Sequence, residues 1–122
     1  MGASELGKLA EQLAEEFLKK RGFSILDRNF RKPWGELDII AKKGDVTVFV
    51  EVKANRADMP GFEPELRAGN KKLHKVFRTA KTYLSSKNIG LETEWQVDVI
   101  TVVFDKTHGT AKIKHFPNVD VA

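Results

Sequence analysis

The sequence predicts one α/β domain, a central mixed sheet flanked by helices on both faces, and three observations carry that prediction. A stretch of helical periodicity opens the chain, three runs of strand-like apolar residues follow it, and a second amphipathic stretch separates those runs from two more. At 122 residues the chain is long enough for one hydrophobic core and too short for two, so residues 1–122 read as a single domain.

The elements follow in order. From Ser4 to Arg21, Leu6, Leu9, Ala10, Leu13, Ala14, Phe17 and Leu18 recur at helical spacing, with Ser4 as N-cap and Gly22 as C-cap. Strands are predicted over Phe23–Phe30 and Gly35–Ala41, separated by the turn at Pro33, and over Val46–Ala54. A two-residue turn at Gly44-Asp45 would make the last two an antiparallel hairpin. The glycine- and proline-bearing loop Asn55–Pro64 leads into a helix that begins at Pro64 or Glu65 and ends at Ser86. Glu94–Phe104 and Thr110–Phe116 supply the last two strands.

Composition excludes several classes of protein. With no cysteine there is neither a disulfide framework nor a Cys-based zinc site, and His74, His108 and His115 are too scattered to make one. Acids interrupt the N-terminus where a signal peptide needs an apolar core, and nowhere do about 18 apolar residues run together. A cytoplasmic protein with no membrane partner is expected. The net charge of +4 leans modestly toward a polyanionic partner.

The central hairpin carries the chemistry. In "VFVEVK", Glu51 and Lys53 share a face with Thr47 and Phe49, while Val48, Val50 and Val52 point the other way. Both faces are largely apolar, as in a strand covered on both sides, so the two charges need partners or a water-filled notch. In "GELDII", Glu36, Asp38 and Ile40 share a face by alternation, and the two-residue turn sets Asp38 opposite Glu51. Two carboxylates that close raise each other's proton affinity unless a cation lies between them. Mg²⁺, a hard ion that takes carboxylates, carbonyls and water, suits that gap, and Lys53 beside it suits an attacking water or a developing negative charge. The bland reading of the same residues is a salt-bridged ladder on a solvated face.

An Asp on one strand and Glu-x-Lys on the next, behind an N-terminal helix, resembles the PD-(D/E)XK nuclease superfamily, which includes restriction enzymes and archaeal Holliday-junction resolvases. The chain is more closely similar to the bacterial YraN family of that superfamily, through "GKLAEQLAEEFLKKRGF", "LDRNFR", "GELDIIA", "VFVEVK", "KKLHKVFRTAKTYL" and "VDVI". The resemblance implies a restriction-endonuclease-like αβββαβ core. It implies Asp38 and Glu51 as carboxylate ligands of Mg²⁺ or Mn²⁺, Val52 as a further metal ligand, Lys53 as the catalytic lysine, and Glu11 as the helix-borne glutamate of the resolvases. Helix geometry places Glu11 at the border of the apolar stripe and Glu15 on the solvent side. YraN relatives carry an Arg two residues after the motif lysine; Asn55 stands there, and Arg56 follows it.

Basic residues extend the site. Lys71, Lys75 and Arg78 line one face of the second helix, opposite Leu73, Val76, Phe77, Ala80 and Leu84, and Lys72 lies near the boundary as a candidate phosphate contact. Arg28, Arg31, Lys32 and Arg56 could enlarge that surface. Trp34 and Trp95 read as packing residues, with Trp34 close enough to the proposed site to stay open as a stacking platform, and Asp98 as a structural acid paired with a base. The expected function is metal-dependent hydrolysis of phosphodiesters in branched or structured DNA, with a homodimer suggested by analogy with resolvases. The alternative is a nucleic-acid-binding module of the same fold that cuts nothing.

Overall fold

The structure, a computed structural model, describes residues 3–57, 70–90 and 92–120, the side chains of residues 3–4 and 70–71 excepted. Its elements are α1 (Ala3–Lys20), β1 (Ser24–Lys32), β2 (Gly35–Lys43), β3 (Val46–Arg56), α2 (Asn70–Ser86), β4 (Trp95–Asp105) and β5 (Thr110–Phe116). The predicted order holds. Several boundaries move by a residue or two: β1 runs on to Lys32, β2 to Lys43 and β3 to Arg56, so Asn55 and Arg56 are strand residues aligned with Val103 and Phe104 and not the start of a loop. The predicted start of the second helix, and the rest of the loop before it, lie outside the described residues.

The five strands lie in sequence order β1-β2-β3-β4-β5. All pairs are antiparallel except β3–β4, whose parallel alignment is made possible by the crossover that contains α2. Among the described residues one helix covers each face. Ala10, Ala14 and Leu18 of α1 pack on Ile39, Ala41, Val48, Val50, Ile100 and Val102. Val76, Ala80, Tyr83 and Leu84 of α2 pack on Leu37, Ile40, Phe49 and Val97. Both faces of β3 are therefore buried, as its apolar pattern requires. Phe49 stands edge-on to Tyr83 at 5.7 Å and to Trp95 at 5.8 Å, which assigns Trp95 to packing.

The helices stop by the same device. Phe23 N donates to Leu18 O and Gly22 N to Lys19 O, with Gly22 at φ 89°. Ile89 N donates to Leu84 O and Asn88 N to Ser85 O, with Asn88 at φ 57°. These are Schellman caps, one on the predicted glycine and one on an asparagine that tolerates the left-handed region.

Strand β1 departs from simple alternation twice. A bulge falls between Ile25 and Asp27, leaving Leu26 46% exposed, and Asn29 takes φ 50°. Asn29 lies across from Asp38, and there the sheet changes face: Leu37 joins Ile40 under α2, while Ile39 and Ala41 lie under α1. The expectation that Glu36, Asp38 and Ile40 occupy one unbroken face is thus corrected. A left-handed residue in one strand breaks the pleat that alternation assumes.

A second correction concerns Glu15, which does not point into solvent. Its carboxylate accepts both a 2.8 Å hydrogen bond from Arg28 Nε and a second from Arg28 Nη2, and Lys19 Nζ lies 3.1 Å away. Arg28 is therefore committed to joining β1 to α1. The hydrogen bond from Arg28, more than the nearby charges, holds Glu15 far below the usual carboxylate range, at about 2. Glu15→Gln is expected to cost about 1 kcal/mol near neutral pH, since Arg28 is half exposed and water screens the pair. The folded carboxyl ionises below the unfolded value of 4.5, so this stabilisation is complete above that value and fades as pH falls toward 2. Urea unfolding of both proteins at pH 7 and pH 3 would show the gap narrowing.

Candidate active site

The β2–β3 hairpin sets the site. Pairing runs from Lys43–Val46 at the turn, where Gly44 takes φ 58°, out to Ile39–Val50. It stops one pair short of Asp38 and Glu51. Here the strands part, and the Asp38 carboxylate fills the gap by accepting the Val52 N–H at 2.8 Å. That main-chain donor is satisfied by a side chain from the neighbouring strand, which locks Asp38 beside Glu51.

The start of β2 is held close to α2. A Cβ at Gly35 would stand 2.6 Å from Thr79 Oγ1 and 3.3 Å from Lys75 O, so only glycine permits this approach. Thr79 Oγ1 is itself fixed by donating to Lys75 O at 2.7 Å. Glycine at this point brings the acidic end of β2 under the basic first turns of α2.

A cleft of about 790 Å³ opens where these elements meet. Its lining includes Asp38, Glu51 and Val52 from the hairpin, Glu11 from α1, Lys72 and Lys75 from α2, and the segment from Arg31 to Glu36. Asp38 and Glu51 are only 6% and 3% exposed, yet both border this opening. Burial first, then the charges of Glu51 and Glu11, push Asp38 up to about 8, against the opposing pull of the Val52 N–H. Burial and the carboxylates of Glu36 and Glu51 also raise Glu11, while Arg31 eases it. These are like charges collected at low exposure, the arrangement that calls for a cation.

Lysines supply part of that charge. Lys72 Nζ lies 2.8 Å from Glu51 Oε1, and Lys53 Nζ lies 3.9 Å from the same oxygen. Burial works against the Lys72 ammonium, but its hydrogen bond to Glu51 and the negative charges of Glu51 and Asp38 outweigh it and raise its pKa. The direct Lys72–Glu51 contact was not legible in the sequence, which suggested only a phosphate role.

The remaining candidates divide. Lys75 lines the cleft; Arg31 lines it too, and its Nε bonds Glu36 Oε2 at 3.0 Å. Arg78 lies against the Trp34 ring at 4.4 Å, and the Trp34 Nε1–H is buried without a partner among the described residues. Trp34 is thus a wall of the cleft with a basic cover. Arg56 ends β3, its N–H accepted by Asn55 Oδ1 at 2.9 Å, and the Lys71 side chain lies outside the described residues. Asp98 is fully buried and away from this lining, bonded to His115, Gln96 and the Asn118 N–H, the structural role expected of it.

The donor set suits a hard divalent ion held lightly. Among the described residues no three acidic, histidine or cysteine side chains converge to form a closed cage. Asp38 and Glu51 offer two carboxylates, and Mg²⁺ is commonly bound by one or two carboxylates with water completing its octahedron. The apposition also costs stability when no ion is bound. Asp38→Asn retains an oxygen to accept the Val52 N–H and removes an acid that burial and the charges of Glu51 and Glu11 keep largely protonated at pH 7, a cost the unfolded chain does not bear. It is expected to stabilise the metal-free protein by roughly 1–2 kcal/mol at pH 7, read as a raised Tm in the presence of a chelator.

Among the described residues no helix is long and apolar enough to cross a membrane. Similarity to other proteins runs through the whole hairpin and both helices. A UPF0102 protein of Clostridium acetobutylicum is 42% identical over 112 residues, covering 92% of this chain and 90% of its own. A UPF0102 protein of Fervidobacterium nodosum is 38% identical over 116 residues, covering 92% and 79%. One from Dictyoglomus turgidum is 33% identical over 118 residues, covering 97% and 98%. The model described as "Uncharacterised protein family UPF0102" matches residues 10–102, a span that holds every element framing the cleft, and the chain belongs to that family.

Proposed function

We propose that the chain is a metal-dependent endonuclease of the PD-(D/E)XK type, acting in the cytoplasm on phosphodiester bonds of branched or otherwise structured DNA. One observation supports this above the rest: two buried carboxylates from parting strands border an open, cation-lined cleft, with a lysine two residues beyond the second. Asp38 and Glu51, with the main chain at Val52, would hold Mg²⁺ or Mn²⁺. Such an ion supplies Lewis-acid polarisation of a phosphate oxygen and a bound water of lowered pKa.

The chain's own groups would do the rest. Lys53 Nζ would donate to the attacking water or to the oxygen that gathers charge in the transition state. Glu11, on the α1 side of the cleft, would orient a water or a second ion. Lys72, Lys75 and Arg31 would take phosphates flanking the scissile one, and Lys71, Arg78 and Arg56 would extend contact along the backbone. The sequence carries no zinc-finger or recognition-helix signature, so the substrate would be chosen by shape, and a homodimer could present two such clefts to two strands.

A second reading has an observation of its own. Lys72 already neutralises Glu51, so the same cleft could bind nucleic acid without metal and without cutting. Incubation with four-way junction, flap, linear duplex and RNA substrates, in Mg²⁺ or Mn²⁺, separates the two. Cleavage that requires the metal and disappears in Asp38→Ala and Glu51→Ala supports the nuclease; metal-independent binding without cleavage supports the module.

A further inference from the structure

Two ammonium groups converge on one carboxylate oxygen. Lys53 and Lys72 both approach Glu51 Oε1, at 3.9 Å and 2.8 Å, and they arrive from different directions. Lys53 stands on the same strand as Glu51, and its side chain is 21% exposed. Lys72 stands in the first turn of α2, and its side chain is 57% exposed. Lys72 thus reaches Glu51 from the open side of the cleft and can swing back into water at little cost. Lys53 has less room to leave.

A divalent ion coordinated by Glu51 Oε1 would take the position that Lys72 now neutralises. An ammonium in contact with that oxygen and a divalent ion bonded to it would lie close enough to repel each other strongly at low exposure. One must yield, and the mobile, more exposed group is the lysine. Once displaced, its charge joins those of Lys75 and Arg31 in the cleft lining, and that crowd of cations is relieved by an anion.

We propose that Lys72 is a displaceable counter-ion that couples metal binding to phosphate binding, a proposal that rests on the metal-centre reading above. In the metal-free protein Lys72 neutralises Glu51 and holds the buried carboxylate in a satisfied state. When nucleic acid enters, a phosphodiester oxygen offers Lys72 another partner, Glu51 is released, and the divalent ion is bound more tightly. By linkage the metal strengthens nucleic-acid binding by the same factor. The geometry therefore favours loading of metal and substrate together and disfavours a metal-loaded enzyme without substrate.

The test measures Mn²⁺ affinity directly, by calorimetry or by the electron paramagnetic resonance of free Mn²⁺, with and without a nuclease-resistant four-way junction. The full chain is compared with Lys72→Met, with Lys72→Gln in case the first variant folds poorly, and with Lys75→Met. For the wild type, the junction is expected to tighten Mn²⁺ binding about tenfold, within the usual range of coupling between sites. Lys72→Met should bind Mn²⁺ about tenfold more tightly than wild type without DNA, and the junction should add less than twofold. Lys75→Met removes a cleft cation that does not touch Glu51, and should weaken junction binding while leaving DNA-free Mn²⁺ affinity within about twofold.

Equal Mn²⁺ affinity in wild type and Lys72→Met overturns the proposal and leaves the metal centre standing. So does tighter binding of equal size in Lys75→Met, which would mean a general field and not a specific contact. No Mn²⁺ binding by any of the proteins, with or without DNA, overturns the metal centre and the coupling together.

Discussion

On the nuclease reading proposed above, Glu51→Gln is expected to lower Mg²⁺-dependent cleavage by about a thousandfold or more, equivalent to about 4 kcal/mol of transition-state stabilisation. The amide has the shape of the carboxylate but not its charge, so it can no longer hold a hard cation opposite Asp38. The fold should survive, because the substitution removes a buried charge without opening a cavity, and Lys72 can turn to solvent. Lys53→Ala should act differently, costing about a hundredfold to a thousandfold in rate with Mn²⁺ affinity little changed, since an ammonium is no ligand. Initial rates, Mn²⁺ titrations and Tm for the two variants form one data set. Residual Glu51→Gln activity within tenfold of wild type would move the chemistry away from this carboxylate.

How much of this was legible depends on whether a contact is set locally. Strand alternation and a two-residue turn fix which residues of β2 and β3 meet, so Asp38, Glu51 and Lys53 could be placed together from spacing alone. The change of face at Asp38 could not, because it follows from a left-handed Asn29 across the sheet, and asparagine adopts that conformation only where its surroundings require it. Glu15 misled for a related reason. A helical wheel gives the direction of a side chain but not its reach, and β1 brings Arg28 within range of a carboxylate that the wheel sends to water. Lys72 was placed near phosphate, yet its contact with Glu51 spans a crossover and depends on where α2 lies over the sheet. Gly35 carried a signal that went unread: a glycine immediately before an acidic strand entry marks a close approach, here to Thr79.

Among the described residues, Asp98→Ala should be the most destabilising substitution of a polar residue, costing about 3–5 kcal/mol of a total that for such domains is only about 5–15. Asp98 Oδ2 lies 2.6 Å from His115 Nε2, while Oδ1 accepts from Gln96 Nε2 at 2.8 Å and from Asn118 N at 2.9 Å. Burial alone would raise the acid; the His115 bond, the Asn118 N–H and Gln96 together lower it, so it stays ionised. Alanine leaves three part-buried donors without their acceptor. The imidazole is itself packed edge-on between Phe17 at 6.0 Å and Phe23 at 6.1 Å, so it cannot easily turn outward to find water. This network ties β5 and the segment at Asn118 to β4, where Val119 N also donates to Val97 O at 2.8 Å. Asp98→Asn should cost less, about 2 kcal/mol, because its amide keeps one acceptor but sets its NH₂ against one of the donors. Guanidinium unfolding measures both. Because Asp98 lies outside the cleft, the proposed metal-dependent activity, measured well below the lowered Tm, should remain within about threefold of wild type. A change in free energy under 1 kcal/mol for Asp98→Ala would mean that water reaches the network and that β5 is held by its strand pairing alone.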